Sequence, residues 1–215
     1  MVHYPSELRK LQVAIDDIVG PGRLPEFSDI PNLPLVRAVA KETLRWRPVT
    51  AGGLPHQSTK DDVYNGTFIP AGTNVHPNQW AIHREEALYP EPESFIPDRW
   101  LDEKYPTFRE PLTQYPNLSN YSAFGFGRRI CPGMHIAERS LNILIARIAW
   151  ACDISKKFGT DGKAIEVPQY DYVEGFNVQP NWFAFDLKPR SEKRWKIVQE
   201  AYRREMESDP LKGRR

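Results

Sequence analysis

A chain of 215 residues with a formal net charge of +1 offers no bulk electrostatic attraction to nucleic acid or to an anionic membrane. At 40% hydrophobic residues it can bury a real core, as one large domain or two small ones, and its two cysteines do not suggest a secreted disulfide framework. Proline, at 20 residues, is about twice its ordinary usage, so much of the chain is expected to run as ordered, non-repeating loop.

The first predicted element is a helix that opens at Pro5 and ends at Gly20, with Leu8, Leu11, Ile15, Ile18 and Val19 at helical spacing. Pro21, Pro25, Pro31 and Pro34 then mark a loop. A second helix is expected over about residues 35–46, stopped by Pro48. In it Glu42 and Arg45 stand one turn apart on one face, which in isolation describes an ordinary solvated pair. Asn65-Gly66 between Asp62-Val63-Tyr64 and Thr67-Phe68-Ile69 is a strong short hairpin signal, and residues 73–75 can return as a further strand. Residues 85–121 are rich in proline and aromatics without clean periodicity.

Residues 134–152 are apolar on most faces, which predicts a buried helix with Cys152 as a core filler at its end. Along such a helix Cys131 and Cys152 are ~30 Å apart, too far for a disulfide. Glu174-Gly175 lies between two extended stretches, 167–172 and 181–187, whose Phe183, Phe185 and Leu187 alternate as a strand should. Residues 191–206 predict a charged surface helix that packs Trp195, Val198 and Tyr202 on the body. There is no signal peptide and no apolar run near the ~20 residues of a membrane span, so the chain is expected to be soluble.

The centre of the sequence is Phe124-Gly125-Phe126-Gly127-Arg128-Arg129-Ile130-Cys131-Pro132-Gly133. Gly125 and Gly127 let the backbone reach positive φ and approach a flat ligand. Pro132 suits the first turn of a helix, which puts Cys131 at the N-cap or just outside it, where free N–H groups and the helix dipole favour a thiolate. Arg128 and Arg129 add two permanent cations suited to carboxylates.

This stretch resembles the cysteine-ligand loop of the cytochrome P-450 family of haem-thiolate monooxygenases, Phe-Gly-x-Gly-x-Arg-x-Cys-x-Gly, and meets all six fixed positions with Phe124, Gly125, Gly127, Arg129, Cys131 and Gly133. The resemblance implies that Cys131 is the axial ligand of a haem iron, that Arg129 pairs with a haem propionate and that Phe124 packs near the sulfur. It covers residues 5–189 and only the C-terminal part of the family fold: mainly α with small β-hairpins (α+β), the N-terminal half absent. Residues 1–190 are expected as the haem-binding portion and 191–215 as a charged helix and tail.

The resemblance also joins Glu42 and Arg45 to Arg99 of Phe95-Ile96-Pro97-Asp98-Arg99-Trp100 as a buried structural triad. His56 falls where family members hold a propionate with a basic residue; an exposed turn histidine describes it equally well. Residues 50–54 resemble a substrate-facing turn, and the tip near Glu174-Gly175 resembles a second, which makes Thr50, Ala51, Gly52, Gly175 and Phe176 the candidate substrate contacts. His83 and Arg84 match the family's wording without an assigned chemistry. Arg139 and Arg147, with His135, Lys156 and Lys157, are candidates for a basic surface that receives an electron-donor protein.

The resemblance thus implies haem (iron protoporphyrin IX) as cofactor, electrons from NADPH through a reductase, a small organic substrate, and, in intact members, residence at the cytosolic face of the endoplasmic reticulum. The chain lacks an acid-threonine stretch for oxygen activation. Three readings follow: the haem-binding part of a monooxygenase; a truncated haem-binding or partner-binding protein without turnover; and a zinc site using Cys131 and His135, which lacks two further ligands at suitable spacing. A dinucleotide fold is weaker, because Ile130 stands where the third glycine belongs.

Overall fold

The computed structural model describes residues 1–109, 118 and 121–208. Among them are five α-helices, α1 (Pro5–Val19), α2 (Pro34–Trp46), α3 (Gln79–Ile82), α4 (Met134–Ala151) and α5 (Glu192–Ser208). Six short strands pair as three separate antiparallel hairpins or ribbons: β1 (His56–Gln57) with β4 (Asn74–Val75), β2 (Asp62–Tyr64) with β3 (Thr67–Ile69), and β5 (Cys152–Lys156) with β6 (Phe185–Pro189). The architecture is mainly α with small antiparallel sheets.

Helix α1 starts on Pro5, where the missing N–H costs nothing, and stops at Gly20, whose φ of +69° few other residues adopt. Its inward stripe is Leu8, Leu11, Gln12, Ile15 and Val19. Ile18, expected on that stripe, is instead exposed, and Gln12 takes the inward place. The Gln12 amide donates to the Cys152 carbonyl at 3.1 Å and to Asp153 Oδ1 at 2.9 Å, so its burial is compensated.

Helix α2 lies at the centre and contacts α1, α4 and the 3-10 turn Pro97–Trp100. Val36 and Val39 join Leu8, Leu11 and Ile15 of α1 and Ile143, Ala146, Ala149 and Trp150 of α4 in the main core. Each such fully buried aliphatic chain contributes about 1.5–3 kcal/mol from apolar area removed from water. The Trp150 indole N–H donates to the Gly20 carbonyl at 2.8 Å, closing the end of α1 onto α4.

Helix α4 is not buried all round, contrary to its nearly uniform apolarity. Ile136, Leu144 and Ile148 face outward, with Ile136 73% exposed, because α1 and α2 cover only one side of the helix. Cys152 ends α4 and begins β5, buried as its residue type suggests.

The expected hairpin between residues 167–172 and 181–187 is only partly formed. Tyr172 and Pro180 make a single bridge, supported by Val173 N–H to the Gln179 carbonyl at 2.9 Å, whereas residues 185–189 turn away to pair with β5. Alternation made 183–187 a strand but did not name its partner.

Of the apolar stripe expected to pack the C-terminal helix, only Val198 does so. Trp195 and Tyr202 are exposed, while Arg194 is buried and Ile197 and Val198 touch the main core. Arg190 and Arg194 converge on Asp16 of α1 at 2.7 and 2.9 Å, and Arg194 also donates to the Trp150 carbonyl at 2.8 Å. Burial opposes ionisation of Asp16, but the two guanidinium hydrogen bonds outweigh it and hold the carboxyl below its ordinary range.

Candidate functional site

The site is built outward from the Glu42 carboxylate, which has no solvent exposure. One oxygen accepts from Arg45 Nη2 at 2.8 Å, from the Ile96 backbone N–H at 2.9 Å and from Arg99 Nε at 3.3 Å. The other accepts from Arg45 Nε at 2.8 Å and from the Trp100 indole N–H at 3.1 Å. A buried carboxylate with five donors is fully compensated, and the Arg45 pair is the bidentate fork that guanidinium geometry favours. Glu42, Arg45 and Arg99 are therefore brought together.

Both arginines spend their remaining donors on backbone carbonyls. Arg45 reaches His83 at 3.1 Å, Pro92 at 2.8 Å and Ser94 at 2.9 Å. Arg99 reaches Pro90 and, at 2.6 Å, Glu91. Burial lowers the Arg99 pKa, and the Glu42 charge opposes that shift. An otherwise irregular stretch thus hangs on two side chains.

Next to this cluster lies a smaller core of Ala38, Tyr89, Trp100, Leu118, Tyr121 and Met134, against which Phe124 and Ile130 pack. It seats the loop that carries the cysteine. Ser122–Phe124 forms a 3-10 turn closed by Gly125 at φ +74°, and Gly127 at φ +65° opens a second turn through Arg129. The Cys131 backbone N–H then donates to the Phe124 carbonyl at 2.9 Å, so the loop doubles back on itself and presents the cysteine at its end.

Cys131 does not sit at the helix mouth. The N-cap of α4 is Gly133, and Pro132 and Gly133 form a turn that separates the cysteine from the first helical residue, Met134. The thiol is consequently exposed rather than enclosed by free N–H groups. A thiol that coordinates a metal is deprotonated by the metal itself, so ligation does not need the dipole.

The chemistry of the donor set bears on what the thiol can hold. Among the described residues no group of three or more His, Cys, Asp or Glu side chains could enclose a bare metal ion. A single exposed cysteine suits a metal that arrives with its other ligands in a flat ring. A Cβ placed on Gly125 or Gly127 would meet nothing within 4 Å, so the ground beyond both glycines is open. The residues present fit a haem.

Arg128, Arg129 and His56 are exposed. Thr50, Ala51 and Gly52 lie in a turn that ends at Gly53, where a Cβ would strike Pro77 Cγ at 2.3 Å. Gly175, at φ +140°, and exposed Phe176 lie in the bend opposite. The two turns are joined, since Val178 N–H donates to the Val49 carbonyl at 2.7 Å.

The suggested basic surface is partly committed elsewhere. Arg139 stacks on Phe27 at 4.4 Å, and Arg147 Nε donates to the Pro25 carbonyl at 3.0 Å. His135, Lys156 and Lys157 are exposed.

Several contributors had no chemistry in the sequence. His83 has no solvent exposure, stacks on Tyr121 with centroids 5.4 Å apart and planes at 12°, and contacts Ser122 Oγ through Nε2 at 2.9 Å. The Lys41 ammonium lies 4.5 Å from the Trp100 ring and 5.0 Å from Tyr121. For His83 the signal was a match of single letters to the family's wording, and Lys41 carried none, because each acts on a partner remote in sequence.

The cytochrome P-450 family profile matches residues 1–168. The chain is 43% identical over 214 residues to the cytochrome P-450 monooxygenase verL of Clonostachys rogersoniana, covering 99% of this chain and 39% of the relative. It is 42% identical over 203 residues to the cytochrome P-450 monooxygenase psoD of Aspergillus fumigatus, covering 94% of this chain and 39% of the relative. A solved structure of a zebrafish cytochrome P-450 with abiraterone superposes with a TM-score of 0.72 at 29% identity over 89% of this chain and 41% of that one. The chain therefore spans about two fifths of the length of the relatives it matches.

Proposed function

The chain belongs to the cytochrome P-450 family, and from that premise we propose that it forms the thiolate-bearing wall of a haem site in a monooxygenase. The observation that carries the reading is Cys131, exposed at the end of a doubled-back loop with open ground beyond its glycines. When bound, a haem with a cysteine ligand supplies the oxygen-activating chemistry by which one atom of O2 enters an organic substrate.

Each residue then has a definite task. Cys131 binds the iron, while Gly125, Gly127 and Gly133 give the loop its close approach. Phe124 packs beneath it, and Arg129 and His56 neutralise the propionates. Glu42, Arg45 and Arg99 hold the stretch before the loop. Thr50, Ala51, Gly52, Gly175 and Phe176 border the substrate. Electrons come from NADPH through a reductase that meets the exposed His135 side. Residues 1–190 form the haem-binding portion. Among the described residues no helix is long and apolar enough to cross a membrane.

A second reading is a haem-binding or partner-binding protein without turnover. The test is the absorption of the reduced, carbon monoxide-bound chain after haem addition. A red-shifted thiolate band that disappears in Cys131→Ser supports haem ligation; a spectrum indifferent to that substitution overturns it. Oxidation of a substrate with reductase and NADPH then separates the two readings.

A further inference from the structure

We propose that His83 is a positioning residue for Cys131, acting through Tyr121 and Ser122 on the turn that supplies the acceptor for the cysteine amide. Its backbone and its ring do different jobs. The His83 carbonyl accepts from Arg45 Nη1 at 3.1 Å, and its N–H donates to Gln79 at 3.0 Å, so the residue is strapped to the buried Glu42 cluster. Its ring then grips two successive residues of the cysteine loop, stacking on Tyr121 and bonding Ser122 Oγ at 2.9 Å.

From there the path to the cysteine is short. Ser122 begins the 3-10 turn that ends at Phe124, its carbonyl accepts the Gly125 N–H at 2.9 Å, and the Phe124 carbonyl accepts the Cys131 N–H at 2.9 Å. A shift of Ser122 moves the acceptor that fixes the cysteine. Side-chain and backbone bonds thus run without a gap from Arg45 to Cys131.

The ring's proton also has one satisfactory place. Among the described residues Nδ1 is buried without a hydrogen-bond partner. A buried N–H without an acceptor is costly, so the network assigns the proton to Nε2, which donates to Ser122 Oγ. Burial, with the nearby Arg45 and Arg84 charges, lowers the ring's pKa to about 4 and keeps it neutral near pH 7. The bond is a neutral, directional one.

The relevance to haem rests on the proposed function, whereas the relation of His83 to Cys131 does not. The deciding experiment therefore uses the full chain without haem and follows amide hydrogen exchange at Gly125 and Cys131, with Ile15 of α1 as a remote reference. His83→Phe keeps an aromatic ring on Tyr121 but removes the donor, and Ser122→Ala removes the acceptor. Each is expected to speed exchange at Gly125 and Cys131 by about tenfold, the scale of one net hydrogen bond, without an equal change at Ile15. The double variant should do no more than either single one, and His83→Gln, whose amide nitrogen can donate in place of Nε2, should restore slow exchange.

Unchanged exchange at Cys131 in both single variants, or equal acceleration at Ile15, would overturn the assignment. A second arm repeats the carbon monoxide spectrum with haem. A thiolate band weakened in His83→Phe and regained in His83→Gln extends the assignment to the metal. If unaltered chain shows no thiolate band, the haem reading fails while the exchange result still judges His83.

Discussion

Thr50 Oγ1 lies 3.0 Å from Asn177 Oδ1, a hydrogen bond across 127 positions that ties the turn after α2 to the bend near the C-terminus. With the 2.7 Å bond from Val178 N–H to the Val49 carbonyl, it makes one two-walled feature of the two candidate substrate turns. The contact is exposed, so its removal should be felt locally.

Thr50→Val is accordingly expected to change global stability by no more than about 0.5 kcal/mol, the usual range for a surface site. Exchange of the Val178 amide should nevertheless rise measurably. A stability loss of several kcal/mol in urea unfolding would show that the two turns belong to the core rather than to a mobile rim.

Glu42→Gln should be severe. It leaves Arg45 and Arg99, both without solvent exposure, facing an amide that cannot offset their charge. Removing one partner of a buried pair costs about 3–5 kcal/mol, and the same carboxylate also holds Trp100 and Ile96. A urea midpoint close to that of the unaltered chain would contradict the role given to the cluster.

The two thiols should react very differently. Cys131 is exposed, whereas Cys152 is buried and its pKa is raised, first by burial and then by the Asp153 charge. A thiol reagent followed by peptide mass spectrometry should label Cys131 rapidly and Cys152 only in denaturant. Early labelling of Cys152 would mean that the α4–β5 junction opens readily.

His83 should leave a signature in the pH dependence of stability. Its folded pKa of about 4 lies below the ordinary 6.5, so between those values the unfolded chain binds a proton that the folded chain refuses. The unfolded state gains as pH falls from 6.5 towards 4, and folding should weaken by up to about 3 kcal/mol from this group alone. The loss should be absent above pH 7. Comparing urea midpoints at pH 7.5 and 4.5 for the unaltered chain and His83→Gln isolates the effect, since the carboxylates titrate alike in both; parallel slopes would refute it.

Residue order alone determined a good deal of this protein. Pro5 with Gly20 and Pro34 with Pro48 bracket α1 and α2, and Asn65-Gly66 sets the β2–β3 turn, because proline and glycine restrict or free the backbone locally. The spacing of glycines, arginine and cysteine in residues 124–133 was enough to point to the family.

Only the tertiary structure decided how those pieces meet. Alternation marked 185–187 as extended, but strand pairing with β5 depends on contacts some thirty positions away. The apolar face of α4 that stays outside could not be read from composition, since burial requires a neighbour and not merely a hydrophobic side chain. Pro132 suggested the first turn of a helix, with Cys131 at the N-cap or just outside it, yet the turn through Gly133 delays the start and leaves the thiol in the open. His83 is the clearest case: as a single letter it has no visible task, and it acquires one because folding lays Arg45 against its backbone and Ser122 against its ring.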